Sequence, residues 1–113
     1  MAKPLTLTDS TFRTQVIESP LPALVEFWAV WNSTCKALAP SLEVLAEEYE
    51  GRAIIAKLDV DANPQMAALF AVMTVPTIIL FRTGQATERI NGYRPIQALR
   101  DQLDQLLFGV WRT

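Results

Sequence analysis

An apolar run of strand length that leads straight into a helical pattern constrains the fold of this chain most. Residues 23–28 are almost all apolar, which is typical of a strand covered on both faces. From Thr34 to Tyr49, apolar residues recur at helical spacing and charged residues line the opposite side. The only cysteine, Cys35, lies where this helical pattern begins. The sequence therefore predicts a buried strand, a short loop and a helix that starts beside Cys35.

The rest of the chain alternates between strand and helix patterns. The other predicted elements are an extended piece at 5–7, a helix at 9–18 capped by Thr8, strands at 53–58, 77–81 and 86–90, a short helix at 64–70 capped by Asn63, and a last helix after Pro95 with a buried stripe of Ile96, Leu99, Leu103, Leu106 and Leu107. Pro40 is expected to kink the 34–49 helix, and Gly51 to end it. The order predicts an α/β fold: a central mixed five-stranded sheet flanked by four helices.

Length and composition narrow the class of protein. The 113 residues, half of them hydrophobic, predict one domain over 1–113 with a short C-terminal tail at 108–113. Ten basic side chains against 12 acidic ones, without a basic stretch, argue against a nucleic-acid surface. Because there is no histidine and only one cysteine, histidine catalysis, an internal disulfide and a Cys-rich metal site are excluded.

The compartment is predicted from what the sequence lacks. Residues 1–6 contain no apolar signal-peptide core, and no apolar run approaches the roughly 20 residues that span a bilayer. We therefore expect a cytoplasmic protein that does not associate with membranes. We also expect a monomer that needs no cofactor and no metal.

Several short motifs follow one another at a characteristic spacing. They are Phe27-Trp28-Ala29-x-Trp31, Cys35-Lys36 with Pro40, Lys57-Leu58-Asp59-Val60-Asp61, Val75-Pro76-Thr77, and Phe81-x-x-Gly84 with Gly92. Together they resemble the thioredoxin family over nearly the whole chain. The resemblance implies the thioredoxin fold, protein or peptide clients, and a place in cell redox homeostasis.

The active-site loop departs from the family. The family's loop reads Trp-Cys-Gly-Pro-Cys, whereas this chain reads Trp31-Asn32-Ser33-Thr34-Cys35. By resemblance, Asn32 replaces the exposed attacking cysteine, and Cys35 is the more buried, resolving one. Disulfide reduction needs thiolate attack followed by resolution by a second thiol. We therefore predict that two-cysteine protein-disulfide reductase activity is absent, although the chain belongs by resemblance among thiol–disulfide oxidoreductases.

Two roles remain open for Cys35. It is either a small buried packing residue or a reactive thiol that forms a mixed disulfide with glutathione or a protein thiol, or is oxidised to sulfenic acid. By resemblance Glu26 lies beneath the loop, where burial raises its pKa and suits it as proton acceptor for the thiol. The alternative is that Glu26 forms a buried ion pair with Lys57. An iron–sulfur cluster shared by two chains ranks below both, since two Cys35 residues supply half of the four usual ligands.

The loop sequence also has a structural interpretation. Asn32-Ser33-Thr34 fits the glycosylation pattern, but we expect these residues to cap the helix that begins near Cys35. Trp28 is predicted to belong to the core. Trp31, if exposed, is the better candidate for contact with a client.

The last candidate site is a peptide-binding groove. By resemblance the peptide bond before Pro76 is cis, which leaves the backbone of Val75 free to pair with an extended peptide. The alternative is that Pro76 only starts a strand. We predict a protein that binds client or partner peptides around Trp31, Val75, Pro76 and Gly92. The alternative function is a single-thiol redox protein that acts through Cys35.

Overall fold

The fold is a five-stranded mixed sheet with helices packed on it, as predicted. The computed structural model describes residues 2–108. The strands are β1 (Leu5–Leu7), β2 (Ala23–Trp28), β3 (Ile54–Asp59), β4 (Thr77–Arg82) and β5 (Gln85–Asn91). The helices are α1 (Ser33–Glu48), α2 (Pro64–Leu69) and α3 (Ile96–Phe108), with a short segment of the wider π-helical spacing at Arg13–Ile17.

The central strand β2 positions the site. The strand order is β1-β3-β2-β4-β5, with β3 parallel to β1 and β2, and β4 antiparallel to β2 and β5. The first five residues of β2 are buried, which explains their apolar run. The chain leaves the carboxyl end of β2 and enters α1 within a few residues, so the loop between them lies at that edge of the sheet.

The sheet separates two apolar clusters. One contains Leu24 of β2 with Leu38 and Leu42 of α1. The other contains Val25 and Phe27 of β2, with the rings of Phe12, Phe70 and Phe81 in mutual contact. Because successive strand residues point to opposite faces, Glu26 shares the face of Leu24 and therefore lies under α1.

The predicted 9–18 helix is present, but it is shorter than predicted and has π-helical spacing. It is a run of turns followed by the π-helical segment, in which the Glu18 N–H donates to the Arg13 carbonyl at 2.9 Å. Thr8 does stabilise its start, since its hydroxyl accepts the N–H of Thr11 at 3.2 Å. Competing local hydrogen bonds of this kind favour turns over a regular helix.

The cap of α2 also differs from the prediction. Asn63 precedes the helix, but its side chain accepts the N–H of Asp9 at 2.9 Å instead of capping. The Asp9 carboxylate accepts the N–H groups of Gln65 at 3.1 Å and Met66 at 2.9 Å. The cap is thus supplied by a residue far away in sequence, which no local pattern could reveal.

The C-terminal helix is slightly longer than predicted. Phe108, assigned to the tail, is the last residue of α3, and residues 109–113 of the predicted tail lie outside the described residues. Leu99 and Leu103 are fully buried, whereas the other predicted stripe residues are partly buried against the core. Across residues 2–108, no helix combines the length and apolar character that crossing a bilayer requires.

Candidate functional site

Asn32 fixes the start of α1. Its backbone is extended, with φ −99° and ψ 118°, and its Oδ1 accepts the N–H of Cys35 at 2.9 Å. This is the N-cap geometry, in which a side-chain oxygen satisfies a backbone donor of the first helical turn. Ser33 and Thr34, the other predicted capping residues, make no side-chain hydrogen bond within the described part of the chain. Asn32 alone is therefore the cap.

The same side chain also reaches the Val75–Pro76 segment. The Asn32 Nδ2 donates to the Val75 carbonyl at 3.2 Å, and the peptide bond between Val75 and Pro76 is cis. The Gly92 N–H donates to the Pro76 carbonyl at 2.8 Å. These hydrogen bonds connect Asn32, Val75, Pro76 and Gly92, four of the predicted site residues, although Pro76 itself is buried. The Val75 backbone is less free than predicted, because its carbonyl already accepts a hydrogen bond from Asn32.

Trp31 is exposed but held in place. Its side chain is 67% exposed, and its indole Nε1 donates to the Asp61 carboxylate at 2.8 Å. Asp61 in turn donates its backbone N–H to the Asp59 carboxylate at 2.9 Å. In the sequence these two aspartates stood out only as part of a family motif, and the contact with Trp31 was not predicted. The spacing between residues 31 and 61 gives no local signal for it.

The two tryptophans differ in their surroundings. Trp28, predicted to be core, is only partly buried, and the Lys57 ammonium lies 5.3 Å from the centre of its ring. This cation–π contact accounts for part of the environment of Lys57. Pro40 lies inside α1 and is exposed, so it belongs to the helix and not to the surface around Trp31.

Glu26 forms the buried floor beneath the loop. It is 2% exposed, and its Oε2 has no hydrogen-bond partner. Burial raises the pKa of Glu26 to about 7, against the opposing effects of the Lys57 charge and a hydrogen bond with Cys35. Lys57 lies opposite Glu26 in the β2–β3 register. Among the residues described, however, the ion pairs within 4.0 Å are Arg13–Glu18 and Arg100–Glu48. The alternative prediction, a direct ion pair between Glu26 and Lys57, is therefore wrong.

Cys35 is buried directly behind this loop. It is 3% exposed and lies in the first turn of α1. Burial raises the pKa of the Cys35 thiol, and a hydrogen bond with the Ala29 backbone opposes this rise. The charge of Glu26 and the hydrogen bond between Glu26 and Cys35 raise the pKa further. A helix N-terminus usually lowers a thiol pKa, but here desolvation outweighs it. The thiol is therefore protonated and a weak nucleophile at neutral pH.

The arrangement has two layers. The outer layer contains the exposed Trp31 and the hydrogen-bonded group of Asn32, Val75, Pro76 and Gly92. The inner layer is the thiol–carboxyl pair of Cys35 and Glu26. No group of three potential metal-ligating side chains occurs within residues 2–108. The outer layer exposes an aromatic side chain, and the inner layer places one thiol beside one carboxyl group, without a second thiol.

Comparison with known proteins identifies the family of this chain. The family model described as Thioredoxin matches residues 3–105. The chain is 48% identical over 101 residues to proteins named thioredoxin from Staphylococcus aureus strains Mu50 / ATCC 700699 and MW2, and the matched region covers 89% of this chain and 95% of each relative. The chain belongs to the thioredoxin family. Within it, this protein is a member with one cysteine, at position 35.

Proposed function

We propose that this thioredoxin-family protein lacks two-cysteine disulfide reductase activity and binds extended client or partner peptides on the surface of Trp31, Val75, Pro76 and Gly92. One observation carries the proposal: Asn32, at the place of the attacking cysteine, caps α1 and bridges to Val75, while the only thiol of the chain is buried. We further propose that the chain acts as a single domain of residues 1–113, as a monomer, in the reducing cytoplasm.

The missing activity follows from nucleophile chemistry. A carboxamide cannot attack a disulfide, and Cys35 is 3% exposed with a raised thiol pKa. Attack on a protein disulfide requires both access and a thiolate. Even if a client disulfide reached Cys35, no second cysteine exists to resolve the mixed disulfide.

Three features support peptide binding. Trp31 presents a large aromatic surface held rigid by Asp61, and rigid aromatic anchors dominate many interfaces. Met73 and Tyr93, which lie beside the Val75–Pro76 and Gly92 segments in sequence, are exposed. The Asn32 Nδ2 has a second N–H, since the primary amide carries two donors and one bonds Val75. An extended peptide could thus meet polar backbone and side-chain groups between apolar ones.

The reductase claim is tested by restoring the missing thiol. The Asn32→Cys variant re-creates a Cys-x-x-Cys pair, and insulin reduction with dithiothreitol measures the gain. We expect a rate at least about 100-fold above the unmodified protein, because both steps of exchange regain a thiol. Ser33→Cys is the matched control, since it adds a thiol at the wrong spacing. Equal rates for the unmodified protein and Asn32→Cys would refute the claim.

The binding claim is tested with an unfolded chain that offers no thiol chemistry. Reduced, carboxymethylated lactalbumin is such a probe, and calorimetry or fluorescence anisotropy gives its affinity. We expect Trp31→Ala to weaken binding about tenfold. Leu69→Ala is the control, because Leu69 is equally exposed at 67% but lies on α2. Absence of binding, or equal losses for both variants, would count against this surface.

A single-thiol function through Cys35 is the second candidate. The observation that favours it is the Glu26 carboxyl beside the thiol, which hydrogen-bonds Cys35 and keeps its Oε2 without a partner. With glutathione disulfide, the Cys35 sulfur would form a mixed disulfide, releasing one glutathione and passing its proton to a base. Mass spectrometry after incubation with glutathione disulfide tests this: an unmodified mass after hours, under conditions that modify an unfolded sample, would exclude it.

A further inference from the structure

A cavity of about 330 Å³ lies between the N-terminal segment at 3–6 and helix α1. Cys35 and Glu26 contribute to its wall. None of the groove residues around Trp31 and Pro76 lines it. Cys35 therefore adjoins a space that is separate from the groove residues. The volume is at the lower end of the range for small-molecule sites.

The cavity wall includes a polar group that lacks its partner. Glu26 is 2% exposed, and its Oε2 accepts no hydrogen bond. A buried acceptor in this state is costly unless a donor enters the site. The charged groups of the wall besides Glu26 are Lys3, Lys36, Lys57 and Glu43. The site thus offers an acceptor and a sulfur side by side, with an excess of lysine amines around them.

We propose that this cavity is a site for a small hydroperoxide, which donates its O–H to Glu26 and oxidises Cys35 to sulfenic acid. A hydroperoxide combines the donor that Oε2 lacks with an electrophilic oxygen for the sulfur. The proposal goes beyond peptide binding and deepens the single-thiol alternative, so peptide binding can fail without affecting it.

The reaction balances with these groups alone. The Cys35 sulfur attacks the terminal peroxide oxygen, so an S–O bond forms while the O–O bond breaks. The thiol is oxidised to sulfenic acid, and the hydroperoxide is reduced to an alcohol, or to water for hydrogen peroxide. The thiol proton passes to the Glu26 carboxylate, which returns a proton to the departing oxygen.

The protonation states suit this transfer. With a pKa of about 7, roughly half of the Glu26 side chains are ionised at neutral pH and can accept a proton. The raised pKa of Cys35 makes the free thiolate scarce, so a neighbouring acceptor is needed. Glu26 is therefore the group that would hold the proton during attack.

The route is tested by filling the cavity. Ala39→Leu adds bulk at its wall, whereas Ala37→Leu makes the same change on α1 away from it, and both positions are exposed. Each protein is treated with hydrogen peroxide or tert-butyl hydroperoxide, and dimedone-trapped sulfenic acid at Cys35 is quantified by mass spectrometry. We expect Ala39→Leu to slow oxidation by tert-butyl hydroperoxide about tenfold and Ala37→Leu to leave it within about twofold.

Three results would overturn the proposal. One is the absence of sulfenic acid in the unmodified protein with both peroxides. Another is an equal rate in the two leucine variants. The third is faster oxidation in Asn32→Ala with no effect of Ala39→Leu, which would mean that the peroxide reaches Cys35 from the loop and not through the cavity. Circular dichroism checks folding, and Thr6→Leu, at an exposed wall position on β1, replaces Ala39→Leu if that variant unfolds.

Discussion

The loop surface and the buried floor of the site differ in whether their polar groups have hydrogen-bond partners. On the surface, Asn32 bonds through both ends of its carboxamide, to the Cys35 N–H and the Val75 carbonyl. On the floor, Glu26 keeps one carboxyl oxygen without any partner. The difference shows that the loop is locally stabilised structure, while the floor retains a group that costs stability. Groups retained at such a cost are typical of functional sites.

Because of this difference, substitutions in the two layers should change the free energy of unfolding in opposite directions. Removing a hydrogen-bonded cap should destabilise the fold. Removing a buried charge should stabilise it, because the desolvation cost disappears. Measuring the free energy of unfolding of variants at Asn32 and Glu26 therefore tests this difference directly. The effect at Glu26 is expected to be the larger one.

The largest effect is expected for Glu26→Gln at pH 8. A carboxyl whose pKa rises from 4.5 to about 7 on folding destabilises the folded state, when ionised, by up to about 3 kcal/mol. In urea unfolding at pH 8, the free energy of unfolding of Glu26→Gln should exceed that of the unmodified protein by nearly this amount. Glu43→Gln, at an exposed carboxylate of α1, is the control and should change stability by less than about 0.5 kcal/mol. A loss of stability in Glu26→Gln would mean that the carboxyl is well paired in solution.

The free energy of unfolding of the unmodified protein should depend on pH in a direction that Glu26 determines. Between pH 4.5 and about 7, folded Glu26 binds more protons than unfolded Glu26, because its folded pKa is the higher one. The free energy of unfolding therefore falls through this window as pH rises, by up to about 3 kcal/mol, and is level above it. Subtracting the curve of Glu26→Gln isolates this contribution from the other carboxylates. A flat difference curve from pH 4 to 8 would contradict the raised pKa.

The fold could be predicted because its signals are local and repeated. The apolar run of β2, the heptad-like stripe of α1 and the hairpin glycine each depend on nearby residues. Gly84 illustrates this: its φ is +79°, a backbone conformation that favours glycine. One error occurred where a distant residue decides: Asp9 caps α2 across more than fifty residues of sequence. The π-helical form of residues 13–17 was missed for a different reason, because local hydrogen bonds compete with the regular helix there.

The site was predictable only in part, for the same reason. Sequence patterns suggested that Asn32 could cap α1, because capping acts over three residues. They could not reveal its second hydrogen bond to Val75 or the bond from Trp31 to Asp61. Nor could they decide whether Glu26 forms an ion pair with Lys57 or is available as proton acceptor for Cys35, since that depends on where the Lys57 ammonium lies. Here it lies over the Trp28 ring.

A smaller effect of opposite sign is expected for Asn32→Ala. The variant loses the cap of α1 and the link to Val75, which should cost about 1–2 kcal/mol in urea unfolding. Asn32→Asp keeps the acceptor for the Cys35 N–H but loses the donor to Val75, so its cost separates the two bonds. Ser33→Ala is the control, because Ser33 is exposed and makes no side-chain hydrogen bond within the described residues. Equal stability of Asn32→Ala and Ser33→Ala would show that the bonds contribute nothing measurable.

The smallest expected effect is the coupling between the two layers. Cys35 touches both, because its N–H bonds Asn32 and its thiol interacts with Glu26. The Glu26 penalty, however, arises chiefly from burial, which loss of the cap does not relieve. A double-mutant cycle of Asn32→Ala and Glu26→Gln at pH 8 should therefore be additive within about 0.5 kcal/mol. A coupling above about 1 kcal/mol would mean that opening the cap admits water to the floor, so that the loop seals the carboxyl as well as starting the helix.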